Sequence, residues 1–134
     1  MKIDGTCHCG AITYEAEVDP QEVFICHCTD CQTLSGTALR TVVAAAKDSF
    51  RILTGQPKIY VKKADSGRLR EQSFCADCGT PIYATSSGDG PKIYNLRVGS
   101  IRQRNDLPPR SQYWTHSAQA WIATIGALPK VGSE

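Results

Sequence analysis

Apolar and polar residues alternate in several short stretches: Ala11-Ile12-Thr13-Tyr14-Glu15-Ala16-Glu17-Val18, Lys58-Ile59-Tyr60-Val61-Lys62, Pro81-Ile82-Tyr83-Ala84-Thr85 and Ile93-Tyr94-Asn95-Leu96-Arg97-Val98. A period of two sends successive side chains to opposite faces, so each stretch is expected to be a strand with one buried and one wet face. Val23-Phe24-Ile25 is a compact apolar run expected to form a buried strand that delivers Cys26 to a site at its end. Leu39 to Ala46 ends in alanines but carries β-branched residues first, and is read as a further strand. Breaks fall at Asp19-Pro20, Gly55-Gln56-Pro57, Ser86 to Pro91 and Leu107-Pro108-Pro109, where turn-forming residues cluster. One short helix is expected over Thr29 to Ser35, with Thr29 as its cap and Gly36 as its stop. The pattern predicts a mainly β, antiparallel domain with at most short helices.

Length and composition narrow the class. A chain of 134 residues fits one core, so residues 1–134 are expected to form a single domain. The hydrophobic fraction of 41% is too high for a disordered chain, and no apolar run is long enough for a membrane span. The stretch Met1 to Thr6 has one basic residue and no apolar run after it, which does not resemble a secretory signal. The expected compartment is the reducing cytoplasm. The seven cysteines are then better read as metal ligands or reactive thiols than as disulfides.

They fall in three groups: Cys7-His8-Cys9-Gly10, Cys26-His27-Cys28-Thr29-Asp30-Cys31 and Cys75-Ala76-Asp77-Cys78-Gly79. A Cys-x-x-Cys turn followed by glycine lets two thiolates converge on one ion. Cys75 and Cys78 fit this, and a closed zinc site needs two more ligands, for which Cys7 and Cys9 are the evident donors. Packing as small buried hydrophobes is the alternative, and two close pairs that each end in glycine count against it. Thioredoxin-like redox chemistry is disfavoured because its motif opens a helix in a βαβ unit.

Cys26, Cys28 and Cys31 remain. Residues two apart on a strand share a side, so Cys26 and Cys28 face one way and His27 the other, and a helical turn can fold Cys31 back to them. Three protein ligands leave a fourth position open, the mark of a catalytic rather than a structural zinc. Soft sulfur favours a further soft ligand, and a substrate thiol held as thiolate is a natural one. The competing reading is a second structural site completed by His116 or another side chain. His8 and His27 are expected to point away from the metals, His116 is a candidate acid or base, and Asp30 and Asp77 sit inside the ligand loops.

Two basic concentrations also occur, Lys58, Lys62, Lys63, Arg68 and Arg70, then Lys92, Arg97, Arg102, Arg104 and Arg110. With a formal net charge of only +2, they read first as solvated surface. A non-catalytic, zinc-stabilised binding module for a protein or nucleic-acid partner, using these residues as its contact face, is the alternative to an enzyme.

The three cysteine groups, with Ser35-Gly36-Thr37 after the second and Phe74 and Thr80 flanking the third, resemble the glutathione-dependent formaldehyde-activating enzyme (Gfa) family, which includes centromere protein V and has an Mss4-like, mostly β zinc-binding fold. Phe50 to Gly55, Trp121 and Leu128-Pro129 also look like family landmarks. The resemblance implies two zinc ions per chain: a structural one on Cys7, Cys9, Cys75 and Cys78, and a catalytic one on Cys26, Cys28 and Cys31. It further implies a carbon–sulfur lyase that condenses glutathione, or another small thiol, with formaldehyde to S-hydroxymethylglutathione. Arg97 or Arg102 would meet the carboxylates of glutathione. The segments 64–70 and 100–117 carry no signature tied to glutathione, and neither substrate nor oligomeric state is read from these residues.

Overall fold

The computed structural model describes residues 1–133. In chain order the strands are β1 (Lys2–Thr6), β2 (Thr13–Glu17), β3 (Phe24–Cys26), β4 (Arg40–Ala44), β5 (Arg51–Thr54), β6 (Lys58–Lys63), β7 (Leu69–Phe74), β8 (Pro81–Ser86), β9 (Asn95–Arg97) and β10 (Ser111–Tyr113). The α-helix α1 (Thr29–Ser35) follows β3, and short 3-10 turns make up the remaining helical residues. β1, β2 and β5 form a three-stranded antiparallel sheet, and the other seven strands form a sheet of order β10-β3-β4-β9-β8-β7-β6. The mainly β expectation holds.

Cross-strand neighbours share a face of a sheet, and the register divides the seven-stranded sheet cleanly. Val43 pairs with Leu96, and Leu96 with Tyr83. Val43 and Leu96 are fully buried and belong, with Ile3, Tyr14 and Ala16 of the smaller sheet, to one hydrophobic cluster. On the opposite face, Cys26 pairs with Arg40, Phe24 with Val42, and Val42 with Arg97. Asn95 pairs with Ala84, and Ala84 with Gln72. One face is therefore the core and the other presents cysteine, arginine and amide side chains.

The two sheets are joined by aromatic packing. The ring of Phe50 lies 5.6 Å from Tyr14, 5.2 Å from Tyr83 and 4.7 Å from Tyr94, centroid to centroid. Tyr14 is fully buried with its hydroxyl 2.6 Å from Ser100 Oγ. Burial pushes its phenol up to about 12.

Three local expectations need adjustment. α1 stops at Gly36, whose φ of 72° suits glycine, but its cap is Cys28 and Thr29 is already helical. The strand read over 93–98 is cut to β9, because Ile93 is 66% exposed and the chain turns at Val98–Ser100. The sheet is antiparallel except at its edge, where β10 runs parallel to β3. That pairing joins segments more than eighty residues apart, and the three residues Ser-Gln-Tyr carry no pattern that announces a strand.

Gly5 packs directly under the Tyr14 ring, with no room for a Cβ. Gly5→Ala is expected to displace that ring from its Ser100 contact and to lower stability by about 2 kcal/mol, as overpacking of a tight core does. Denaturant unfolding measures this, and an unchanged midpoint contradicts the packing described.

Candidate metal centres and the cleft beside them

The first centre is built by two hairpin loops. Between β1 and β2, the Cys7 amide donates to Ile12 O at 3.0 Å, the Ile12 amide donates to Cys7 Sγ at 3.2 Å, and Gly10 turns the chain at φ 83°. Between β7 and β8, the Cys75 amide donates to Thr80 O at 2.9 Å and the Gly79 amide to Cys75 O at 2.8 Å. The His8 amide donates to Thr80 Oγ1 at 3.0 Å, which locks one loop to the other. The four sulfurs of Cys7, Cys9, Cys75 and Cys78 all lie within 4.8 Å of one another. Cys7 Sγ to Cys9 Sγ is 3.6 Å and Cys9 Sγ to Cys75 Sγ is 3.7 Å. A tetrahedron with metal–sulfur bonds of about 2.3 Å has edges of about 3.8 Å. The donor set and its spacing therefore fit a tetrahedral metal ion. The Thr80 hydroxyl beside Cys78 Sγ, at 3.2 Å, holds that thiol down at about 5, in the thiolate form that ligation requires.

The second centre forms where β3 runs into α1. Cys26 ends the strand. Cys28 is the helix cap, its sulfur accepting from the Cys31 amide at 3.3 Å, and this bond folds the first turn so that Cys31 comes back to Cys26. The three sulfurs lie within 4.8 Å of one another, and among the described residues no fourth His, Cys, Asp or Glu joins them at that distance. The Cys31 thiol donates to Cys26 and draws it down to about 5, with the Arg40 charge assisting, while Cys31 is itself pushed up.

The histidines separate by position. His27 is fully buried, its Nε2 2.8 Å from Gln112 Oε1, and His8 is exposed. Neither belongs to a sulfur cluster. His116 is exposed at the mouth of a cleft of about 640 Å³ that the three sulfurs also line. Clefts of this size accommodate small ligands.

The cleft is the wet face of the seven-stranded sheet. Phe24, Val42 and Arg97 form one row of its floor, and Asn95, Ala84 and Gln72 the next. Lys62 of β6 reaches across to Asp30 of α1 at 2.8 Å. Trp114 and His116 stack loosely at the rim, rings 5.3 Å apart, and Trp114 holds a left-handed φ of 57°, which is uncommon outside glycine. The Gln32 side chain ties α1 to this rim, donating to His27 O at 2.8 Å and to Ser117 O at 3.0 Å.

The basic residues divide. Arg68, Arg70 and Arg97 line the cleft, whereas Arg102 pairs with Asp4 of the other sheet at 2.7 Å and is not among the lining residues. Burial, with the nearby Arg40 charge, pulls the Arg97 guanidinium down to about 9. Arg40 and Gln72 escape a reading by motif, and only their place on the cleft face of the sheet singles them out. Segments 64–70 and 114–117, which carry no signature by themselves, supply much of the rim.

Comparisons with known proteins agree with this architecture. The family model described as glutathione-dependent formaldehyde-activating enzyme matches residues 2–117, leaving Trp121 and Leu128-Pro129 beyond it. An uncharacterized lyase of Schizosaccharomyces pombe is 28% identical over 93 residues, which cover 69% of this chain and 64% of that protein, so the match spans less than two thirds of the relative. The crystal structure of a Rhodobacter sphaeroides protein has the same fold, with a TM-score of 0.61 at 21% identity over 81% of this chain and 98% of that one. The matched residues include all seven cysteines and every residue that lines the cleft. The chain belongs to the glutathione-dependent formaldehyde-activating enzyme family.

Proposed function

We propose that this chain is a zinc-dependent enzyme of the carbon–sulfur lyase type that joins a small thiol to an aldehyde in the cleft, with glutathione and formaldehyde as the pair that family membership favours. The observation that carries the reading is the inequality of the two sulfur clusters. Four sulfurs close around one point, and three gather at the wall of an accessible cleft. Cys7, Cys9, Cys75 and Cys78 would hold a structural zinc. Cys26, Cys28 and Cys31 would hold a second, which when bound supplies the positive charge that keeps a thiol deprotonated at neutral pH.

The remaining work falls to the chain. Phe24 and Val42 give the floor an apolar strip that shields a nucleophilic sulfur from water. Addition forms a carbon–sulfur bond and opens the carbonyl, so the aldehyde oxygen must gain the proton the thiol lost. His116, at the mouth, is the residue placed to pass that proton. The Lys62–Asp30 pair and the Gln32 bonds hold α1, and with it Cys28 and Cys31, against the sheet. Thiols in all seven cysteines suit a reducing compartment such as the cytoplasm, and no helix among the described residues is long and apolar enough to cross a membrane.

Elemental analysis of protein purified without chelator is expected to give two zinc ions per chain, and one per chain rejects the arrangement. Cys26→Ser is expected to lose one ion and stay folded, because the short 26–31 loop closes little of the chain. Cys78→Ser is expected to lose the other and unfold. Structural zinc contributes on the order of 10 kcal/mol, comparable with the whole stability of a domain, and here it closes the long loop between residues 7 and 78. Far-ultraviolet circular dichroism separates the two variants.

Exchange NMR of glutathione with formaldehyde measures the reaction directly. The zinc-loaded protein should accelerate exchange into S-hydroxymethylglutathione above the spontaneous rate, and Cys28→Ser should not. Equal rates with and without the wild-type protein refute the enzymatic reading.

A further inference from the structure

Arg40 lies behind the floor of the cleft. It is only 6% exposed and does not line the cavity, so what its charge meets is protein. Its Nε and Nη2 have no hydrogen-bond partner among the described residues, and its Nη1 donates to Gln72 Oε1 at a long 3.5 Å. Arg97 Nη2 donates to the same oxygen at 2.8 Å. Two guanidiniums therefore share one neutral amide, whereas the exposed Arg51 and Arg102 have carboxylates. A charge buried without a counter-charge is strongly unfavourable, and a like charge beside it adds to the penalty.

The carboxylates of this region do not supply the missing charge. Asp30 is engaged by Lys62, and Glu71, on the opposite face of β7 from Gln72, is engaged by Lys92. Asp65 is exposed in the turn between β6 and β7. What stands beside Arg40 instead is sulfur. Arg40 pairs with Cys26 in the register of β3 and β4, and the Cβ atoms of such cross-strand neighbours lie about 5 Å apart on one face of a sheet. The sulfurs of Cys28 and Cys31 lie within 4.8 Å of that of Cys26. Three thiolates on a divalent ion carry one net negative charge, and a thiolate in the fourth position makes two. The guanidiniums of Arg40 and Arg97 match that charge in number and sign.

We propose that Arg40, held beside Arg97 by Gln72, is the buried counter-charge of the three-cysteine centre and stabilises its anionic complex with a divalent ion. This rests on the function proposed above and deepens it by naming a residue on which occupancy of the reactive centre depends. Each charge is unfavourable in the wall of the cleft alone, and their proximity offsets both. Arg40 makes no hydrogen bond to a sulfur among the described residues and acts through space. It touches neither metal nor substrate and is a positioning residue.

The test is zinc competition with a chromophoric chelator, which reads an affinity for each centre in the intact chain. Cys26→Ser identifies which of the two affinities belongs to the three-cysteine centre. Arg40→Met removes the charge and keeps the reach of the side chain. It is expected to weaken that centre about tenfold, the scale of losing a group that supports metal ligands, and to leave the four-cysteine centre unchanged. Arg40→Lys, which keeps the charge, should recover most of the loss. Gln72→Glu retains both arginines and gives them an internal carboxylate, so it should weaken the same centre while circular dichroism shows the fold intact. A merely structural Arg40 predicts no loss in that variant, which decides the matter alone if Arg40→Met does not fold. Two ions bound by the wild type and by Gln72→Glu with equal affinities overturn the counter-charge and leave the proposed enzyme standing. A single ion in the wild type rejects the proposed function and this role with it.

Discussion

The two-residue alternation of the seven-stranded sheet governs everything else in this molecule. Val43, Leu96 and Tyr83 form a row facing inward, while Cys26 with Arg40, and Val42 with Arg97, face outward. A slip of one residue in β4 or β9 would exchange these sets, sending arginines into the hydrophobic cluster and Val43 and Leu96 into water. Burial of the inward set therefore fixes the register. The positions of the arginines, the glutamine and Cys26 follow as its complement, so the stability of the core and the composition of the cleft are set by one constraint.

The sulfur clusters use the same sheets differently. Cys7, Cys9, Cys75 and Cys78 sit in the loops of two hairpins, one from each sheet, where the backbone bonds around Gly10 and Gly79 determine where the sulfurs point. Drawing these loops together also brings the sheets together, alongside the aromatic contacts of Phe50. Cys26, Cys28 and Cys31 draw together only six consecutive residues at a strand–helix junction. The first ligand set ties together distant parts of the chain, and the second is local to one junction.

The family match spans the cysteines, the strands and the residues that line the cleft. The walls of the cleft come from β6, β7, β9, α1 and the segment around Trp114, elements distant in sequence. The left-handed backbone at Trp114, the Gln32 links and the Lys62–Asp30 pair all stand beside the cleft that the three sulfurs line.

Reading the chain alone was enough for the strands with strict alternation, for α1 and its glycine stop, and for the division of seven cysteines into four and three. Each of these signals is local, carried within a few consecutive residues by backbone sterics or by the spacing that lets thiolates converge. Arg97 was legible only as a basic residue, indistinguishable from Arg102, and Arg40 and Gln72 gave no signal at all. The tertiary structure decided their places, because the strand order brings the side chains of Arg40 and Arg97 to Gln72 across gaps of 25 to 32 residues and Arg102 to a carboxylate on the other sheet. The parallel edge strand β10 was hidden for the same reason: its partner β3 lies far away in sequence, and a register made by distant burial leaves no mark on three residues.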